Sequence, residues 1–256
     1  VKGVEMMEDL KAQVLRFGTD IRSGWVTKVD FTAPPHRVWV DETKELIADV
    51  VIIATGASAK WLGLPNELRL RDLGGGVTAC AVCDGFFFRG QTVALVGAGD
   101  TAAEEATYLA KLCPKVFMLV RKGDFRASKA MIHRVENTPQ IEVLFNTEVK
   151  DVLGEFGVEG IIALNNATGE ERKLDVTGLF IAIGHEPNTA VFKPWLESDN
   201  VGYLKHKPDS TYTNLPGVFV AGDAADKVYR QAVTAAGTGC MAALDAERWL
   251  AAQGKH

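Results

Sequence analysis

The sequence predicts an α/β fold of two domains, one inserted into the other. A strand at 92–96, a helix at 100–113 and a strand at 115–121 form a βαβ unit, which implies a parallel sheet. A β-branched run at 49–54 and a later run at 218–223 both end at glycine-containing turns. These outer runs lie on either side of the βαβ unit, so we expect the middle of the chain to be the insertion.

The first segment, 3–18, reads as an amphipathic helix because apolar residues recur at roughly helical spacing up to Gly18. Strand signals follow at 20–30 and 37–40, separated by Pro34-Pro35, and a third lies at 48–54. Within the third, the continuous run 49–54 predicts a strand buried on both faces.

Glycines and a proline between 63 and 76 indicate irregular chain, and a linker is expected at 61–65. A second linker is expected at 184–188. Further elements follow the βαβ unit: a helix around 128–137, strands at 141–145, 158–164, 172–176, 179–183 and 218–223, and a helix at about 230–252.

Composition excludes several classes of function. The chain has 256 residues, of which 47% are hydrophobic, and a net charge of −5. No long basic run indicates a nucleic-acid surface, and no apolar run reaches the length of a membrane span. Four cysteines, two of them in one CxxC, fit a redox pair plus two buried thiols in a cytoplasmic protein better than a secreted disulfide scaffold.

Residues 97–102, Gly-Ala-Gly-Asp-Thr-Ala, have the form GxGxxA between a predicted strand and a predicted helix. Gly97 permits the tight turn, Gly99 lets the backbone approach a pyrophosphate, and Ala102 allows close packing of helix on strand. With Asp100 and Thr101 they open the helix whose N-terminus stabilises the anion. An ordinary strand–helix turn is the alternative.

The end of the next strand carries Arg121, Lys122 and Arg126 where an NAD site usually has an acidic residue. Three cations suit a 2′-phosphate, so NADPH is favoured over NADH. Asp124 is the one residue nearby that could serve a ribose, and a solvated basic loop is the alternative to a binding site.

Cys80 and Cys83 stand three residues apart, a spacing that allows a disulfide to form and break within one short segment. Asp84 adjoins them and could pass a proton to a thiolate as the disulfide is reduced; an N-cap or turn aspartate is the alternative. Half a zinc site is the other alternative, but no second CxxC or histidine pair is present. Phe86-Phe87-Phe88 read as core or interface.

Asp223 follows a buried strand at the edge where open α/β sheets bind ligands, and a ribose or sugar-alcohol hydroxyl is its natural partner. Arg230, Gln231 and Ala232 open the last helix, where backbone N–H groups could meet a ligand; capping alone is the alternative. Cys113 and Cys240 are expected to be inert core residues.

Together these motifs resemble the low-molecular-weight thioredoxin reductases of bacterial and plant type. The resemblance runs from one end of the chain to the other. It rests on segments 53–58, 80–85, 97–106, 121–128, 184–189, 218–223, 230–232 and 243–248.

The resemblance implies FAD, NADPH, a homodimer and thioredoxin as partner. It implies a divided FAD domain at 1–60 and 189–256 and an NADPH domain at 63–184, both Rossmann-like three-layer domains, with rotation of the insert about the linkers. Cys83 would face the flavin, Cys80 would attack the partner disulfide, and Asp84 would be the acid–base group. Asp223 would hold the ribityl and pyrophosphate region, Thr55 and Gly56 would approach FAD, and Arg230–Ala232 would lie beside the isoalloxazine ring.

The sequence departs from the family's pattern in two places. Val120 stands where many members have His, and Lys122 replaces a second arginine, which predicts weaker selectivity for NADPH. The family's first βαβ unit, with its own GxGxxG, does not appear before Val1. The hypothesis is therefore an N-terminally incomplete FAD domain that binds FAD poorly.

Other functions stay open. A reductase of a peroxiredoxin system shares this core, and a non-catalytic NADP-binding fragment is the alternative from another class. A relative fed by ferredoxin is disfavoured by Arg121, Lys122 and Arg126, and a fused C-terminal thioredoxin by the short distance between the last helix and the end of the chain.

Overall fold

A computed structural model describes residues 3–255. The helices are α1 (Gly3–Arg16), α2 (Pro65–Asp72), α3 (Ala81–Asp84), α4 (Asp100–Leu109), α5 (Lys129–Glu136) and α6 (Ala232–Ala252). The strands are β1 (Val26–Asp30), β2 (His36–Val40), β3 (Lys44–Ala48), β4 (Val51–Ile53), β5 (Ala57–Ala59), β6 (Val77–Thr78), β7 (Thr92–Val96), β8 (Lys115–Val120), β9 (Ile141–Phe145), β10 (Thr147–Leu153), β11 (Gly160–Asn165), β12 (Glu171–Leu174), β13 (Gly178–Ile181), β14 (His185–Pro187) and β15 (Val218–Val220).

The chain divides into two compact units. Residues 58–186 form the middle unit, and the residues up to 57 together with those from 187 onward form the outer unit. The two segments that pass between the units, β5 and β14, pair in a two-stranded sheet.

The middle unit is built on a five-stranded sheet in the order β6-β13-β7-β8-β9, with parallel pairing throughout. Both faces of the sheet are covered, which explains why β7 and β8 are nearly continuous apolar runs. Val93 and Leu95 pack with α4 and α5, whereas Ala94 and Val96 contact the core shared with an antiparallel sheet. That second sheet has the order β10-β11-β12, so this unit has three layers, as predicted.

The outer unit pairs β4 with β15 in parallel, and β1, β2 and β3 form an antiparallel meander. Val29 and Ile53 lie in one buried cluster with Phe192 and Val218. Phe219 packs on the opposite side with residues of α6. After the end of β15, the Gly222 N–H donates to Thr238 Oγ1 of α6 at 2.9 Å, which holds this turn against the first half of the helix.

The predicted strands at 92–96 and 141–145 are confirmed residue for residue by β7 and β9. The predicted face of the helix at 100–113 is confirmed too: Ala102, Ala106 and Leu109 are buried, although α4 ends at Leu109.

Other expectations were wrong. The irregular chain predicted at 63–76 contains α2, with Pro65 in its first turn. Strands β3 and β10 were not predicted. The run at 49–54 is not buried on both faces, because the Ile52 side chain is 40% exposed. Helix α6 packs against nearby Val50.

The first helix was predicted correctly, but none of its described residues is buried. Val4 and Met7 of its apolar face are 77% and 60% exposed. Within residues 3–255, no helix combines the length and apolarity needed to cross a membrane.

Candidate redox and nucleotide sites

The two cysteines of the CxxC form a disulfide, with the sulfurs 2.04 Å apart. Helix α3 begins directly after Cys80 and contains Cys83, so a single helical turn carries the pair. The Cys83 N–H donates to Cys80 Sγ at 3.2 Å. Cys80 is half-buried and Cys83 is exposed. This hydrogen bond gives Cys80 Sγ a polar backbone contact within the helical turn.

Asp84 lies at the end of the same turn, and its carboxylate accepts a hydrogen bond from the Thr78 hydroxyl. Thr78 in turn accepts the Cys80 N–H at 3.2 Å. Sequence reasoning did not single out Thr78. The available signal was a hydroxyl residue two positions before the first cysteine.

The three phenylalanines after the CxxC divide into two groups. Phe88 packs edge-on against buried Phe180, with ring centroids 5.3 Å apart. Phe86 and Phe87 are 62% and 74% exposed. Core and surface roles are therefore both present in this short run.

The glycine turn after β7 has the geometry that its sequence predicts. A Cβ at Gly97 would lie 2.5 Å from both Ala102 Cβ and the Ala182 carbonyl oxygen. No other residue fits there without moving backbone, because φ is also +157°. At Gly99 a Cβ would meet nothing within 4 Å, so neighbouring protein atoms do not require glycine at this position.

The basic loop after β8 folds back onto this turn. The Arg126 N–H donates to the Ala98 carbonyl, and the Ser128 N–H donates to Asp100 Oδ1, both at 2.8 Å. Hydrogen bonds from Ser128 lower the pKa of Asp100 below its ordinary value. Asp100 therefore tethers the loop, while Thr101 is exposed at the start of α4.

A pocket of about 550 Å³ lies between the turn and the loop. Its lining includes Gly97, Ala98, Arg121 and Arg126, together with Leu62 and Leu64 from the chain before α2. Lys122 does not line it; the Lys122 carbonyl accepts the Asn146 N–H. Asp124 accepts the N–H of its neighbour Phe125. Two of the three predicted cations therefore face the pocket.

In the outer unit, hydrogen bonds join the turn at Thr55 and Gly56 to Asn188. The Thr55 hydroxyl donates to the Asn188 carbonyl at 2.7 Å, and the Asn188 side chain donates to the Thr55 carbonyl at 3.0 Å. The Asn188 N–H reaches the Gly56 carbonyl at 2.9 Å. Asn188 was read only as part of a linker, and it is the residue that holds this turn.

Asp223 lies just beyond β15, in the turn that begins at Gly222. Its Oδ1 is buried and has no hydrogen-bond partner among residues 3–255. Burial, reinforced by the charge of Asp226, raises the pKa of Asp223, and Arg230 acts in the opposite direction. A sugar-alcohol hydroxyl would supply the missing donor, so the residues present fit the ribityl chain of a flavin.

Asp226 organises the approach to α6. Its carboxylate accepts the N–H groups of Val228, Tyr229 and Arg230 at 2.8–3.1 Å. Burial opposes ionisation, but these hydrogen bonds lower the pKa of Asp226 overall. Arg230 adopts a left-handed conformation with φ of 48°.

Gln231 is the N-cap residue of α6, which begins at Ala232. The chain just before this helix is held by the Asp226 carboxylate, a residue that was not identified from the sequence.

The remaining cysteines differ from each other. Cys113 is buried, as predicted, and burial raises the pKa of its thiol to about 11. The expectation for Cys240 was wrong because it lies on an exposed face of α6. Across residues 3–255, no three His, Cys, Asp or Glu side chains come together as a metal site.

Comparison with known proteins gives one consistent result. Residues 5–239 match the family model described as pyridine nucleotide-disulphide oxidoreductase. A thioredoxin reductase of Mycolicibacterium smegmatis is 47% identical over 254 residues, which cover 99% of this chain and 80% of that protein. A thioredoxin reductase of Eremothecium gossypii is 48% identical, covering 97% and 79%. The solved thioredoxin reductase of Giardia duodenalis superimposes with a TM-score of 0.90 at 41% identity, covering 98% of this chain and 82% of that one.

Proposed function

The chain belongs to the thioredoxin reductases of the pyridine nucleotide-disulphide oxidoreductase family, and from that premise we propose how its residues divide the work. The electron donor is NADPH, FAD is the cofactor, and the final acceptor is the disulfide of thioredoxin. The observation that carries the proposal is the Cys80–Cys83 disulfide in the same unit as the GxGxxA turn.

We assign the nucleotide site to the pocket beside that turn. Its support is the positive charge of Arg121 and Arg126 together with the N-terminus of α4. Gly97 and Ala102 allow the close packing that brings the helix to the turn.

We assign the FAD site to the outer unit, with Asp223 as the acceptor for a ribityl hydroxyl. A bound FAD would supply a hydride acceptor for NADPH and a two-electron donor for the disulfide. Thr55, Gly56 and Gly222 shape the turns on this side, and α6 begins here at Ala232 after its N-cap Gln231, whose own N–H donates to Thr234 Oγ1 at 3.3 Å.

The reduced pair then exchanges with thioredoxin. The Cys80 thiolate attacks one sulfur of the thioredoxin disulfide, and the other sulfur leaves as a thiolate. Cys83 next attacks Cys80 Sγ in the mixed disulfide, which releases thioredoxin and restores the internal disulfide. Two electrons and two protons pass to thioredoxin, and Asp84 carries a proton between sulfurs.

Serine variants of the two cysteines test this assignment. With FAD added, Cys80→Ser and Cys83→Ser should each lose essentially all NADPH-dependent reduction of thioredoxin while retaining NADPH oxidation by a small one-electron acceptor. Undiminished thioredoxin reduction in either variant would refute the proposal. A wild-type chain that reduces a peroxiredoxin disulfide but not thioredoxin would transfer the assignment to that system.

A trapping experiment separates the roles of the two sulfurs without any cofactor. The partner is a thioredoxin that has lost its second cysteine and carries thionitrobenzoate on the first. We expect Cys83→Ser, which retains Cys80, to form the mixed disulfide at least about tenfold faster than Cys80→Ser, because only Cys80 Sγ receives the backbone N–H. Equal rates of mixed-disulfide formation in the two variants would contradict the assignment of Cys80 as the attacking sulfur.

We also propose a homodimer and a cytoplasmic location. The dimer rests on the resemblance to the family, and light scattering after size exclusion tests it. The location is supported by Cys113 and Cys240, which are free thiols as expected in a reducing compartment.

A further inference from the structure

We propose that Thr78 is a positioning residue for proton transfer: its hydroxyl holds the Asp84 carboxylate against the Cys80 backbone. The inference rests on the proposed function for the chemistry it serves. Its geometry rests on two hydrogen bonds, from Cys80 N–H to Thr78 Oγ1 at 3.2 Å and from Thr78 Oγ1 to Asp84 Oδ2.

These two bonds give the hydroxyl a fixed direction. Because its lone pair receives the Cys80 N–H, its own proton is free to point at Asp84. A hydroxyl that donates to a carboxylate binds the ionised form more strongly than the neutral form. Thr78 therefore fixes the Asp84 side chain beside the Cys80 backbone.

The two partners come from different elements. Thr78 ends β6 and pairs with Phe180 of β13, so its backbone is fixed by the parallel sheet. Asp84 ends α3, whose first residue, Ala81, is fully buried in the core. The side-chain bond thus joins the helix that carries the disulfide to the sheet beneath it.

Thr78 and Asp84 both line a pocket of about 490 Å³. Other parts of its wall come from Gly76, Phe87 and Thr177, and Phe87 is 74% exposed. A surface pocket gives the carboxylate a route to exchange its proton with water. The half-buried Asp84 carboxylate is therefore reached by solvent through this pocket.

The proton balance is simple. Ionised Asp84 takes a proton from a thiol of the reduced pair, which leaves a thiolate to attack the partner disulfide. Neutral Asp84 then returns that proton to the thiolate that departs from the partner. The second proton follows in the same way when Cys83 closes the internal disulfide, so no other reactant is required.

The competing explanation is that Thr78 only satisfies the Cys80 N–H. Four variants separate the two: Thr78→Val, Thr78→Ser, Asp84→Asn, and Thr78→Val combined with Asp84→Asn. Thr177→Val is the matched control, because Thr177 lines the same pocket but donates its hydroxyl to Gln91 at 2.7 Å.

The first readout needs neither flavin nor nucleotide. The full chain is reduced with dithiothreitol, and iodoacetamide alkylation of Cys80 and Cys83 is followed by peptide mass spectrometry from pH 5 to 9, with exposed Cys240 as the internal reference. We expect Thr78→Val to shift the pH profile of the pair, Thr78→Ser and Thr177→Val to leave it in place, and Thr78→Val to add nothing once Asp84 is Asn.

The second readout is exchange between the prereduced chain and oxidised thioredoxin. We expect Thr78→Val to slow it about tenfold at pH 7, with Thr78→Ser within about threefold of wild type. An unchanged profile in Thr78→Val, or an equal loss in the Asp84→Asn background, would overturn the inference. A different outcome would overturn the proposed function instead. In that outcome the wild-type chain does not exchange with thioredoxin, although its alkylation profile still depends on Thr78 through Asp84.

Discussion

Two arginine side chains supply the positive charge that lines the proposed nucleotide pocket, whose wall also includes Glu148. Arg121 and Arg126 both line it, whereas Lys122 does not, although the three lie in one basic run. The planar guanidinium can bind a phosphate through two hydrogen bonds, which lysine cannot do. Selectivity for NADPH should therefore depend on the arginines.

Replacing Arg121 or Arg126 by Gln should weaken NADPH binding about 10- to 100-fold, since each charged hydrogen-bond pair is worth roughly 1.5–3 kcal/mol. Binding of NADH, which lacks the 2′-phosphate, should change by less than about threefold. Calorimetric titration measures both. Lys122→Gln is the matched control and should bind both nucleotides as wild type does; an equal loss for NADH and NADPH in the arginine variants would contradict the assignment.

His36 is a buried titratable residue outside both sites. It is 1% exposed, its Nε2 lies 3.1 Å from the Pro216 carbonyl oxygen, and its Nδ1 has no hydrogen-bond partner among the described residues. Burial lowers the pKa of His36, against the opposing effects of Pro216 and Asp30. Protonation of this ring is therefore less favourable in the folded protein than in the unfolded chain.

The lowered pKa of His36 fixes the direction in which the stability of the protein changes with pH. Below about pH 6.5 the unfolded chain protonates His36 while the folded chain resists, so the unfolded state binds more protons and stability falls as the pH drops. One such proton contributes a slope of up to about 1.4 kcal/mol per pH unit. Urea unfolding at pH 5 and 8 should show a smaller pH dependence in His36→Gln than in wild type, and identical slopes would contradict the prediction.

At the scale of the element, α2 illustrates how one side chain builds a helix start. The Glu67 carboxylate is fully buried and accepts the N–H groups of Leu62, Gly63 and Leu64 at 2.9–3.0 Å. Leu62 and Leu64 also line the nucleotide pocket. The same carboxylate therefore supports both the helix and a wall of the site.

Glu67→Gln should destabilise the protein by about 2–4 kcal/mol, because the amide loses the charge and places an NH2 donor where one carboxylate oxygen accepts one or two of the three N–H groups. The free energy of unfolding in urea measures this. Glu159→Gln, at an exposed position in the same unit, should change it by less than about 0.5 kcal/mol. A cost for Glu67→Gln near that of the control would show that the three hydrogen bonds contribute little.

At the scale of the whole molecule, the chain leaves the outer unit at residue 57 and returns to it at 187. The predicted nucleotide pocket belongs wholly to the middle unit, and the predicted flavin residues belong wholly to the outer unit. Each ligand should therefore act first on its own unit.

NADP⁺ at about 100 times its Kd should slow hydrogen exchange in peptides covering 96–103 and 121–128 by up to about 100-fold, corresponding to roughly 2.7 kcal/mol of linkage. Peptides covering 218–235 should be unaffected. Exchange measured by mass spectrometry gives both results in one experiment. Protection of 218–235 without protection of 96–103 would reverse the assignment of the two sites.

The sequence by itself determined the middle unit's βαβ unit, the glycine turn and the CxxC. Much of each depends on neighbours close in the chain: apolar periodicity sets β7 and α4, and a Cβ at Gly97 would clash with Ala102 five residues on, although the distant Ala182 carbonyl excludes it as well. The cysteine pair closes within one turn. Features that depend on nearby residues can therefore be predicted from a short stretch of sequence.

Only the tertiary structure decided the rest. Hydrogen bonds to Glu67 stabilise helix α2 where irregular chain was predicted. Arg126 lines the pocket whereas Lys122 does not, and Ile52 is exposed. The tertiary structure also joined residues distant in sequence, such as Thr55 and Asn188, 133 positions apart. Burial and hydrogen bonding across such separations depend on how elements pack, and packing is a property of the folded chain that no short segment of sequence contains.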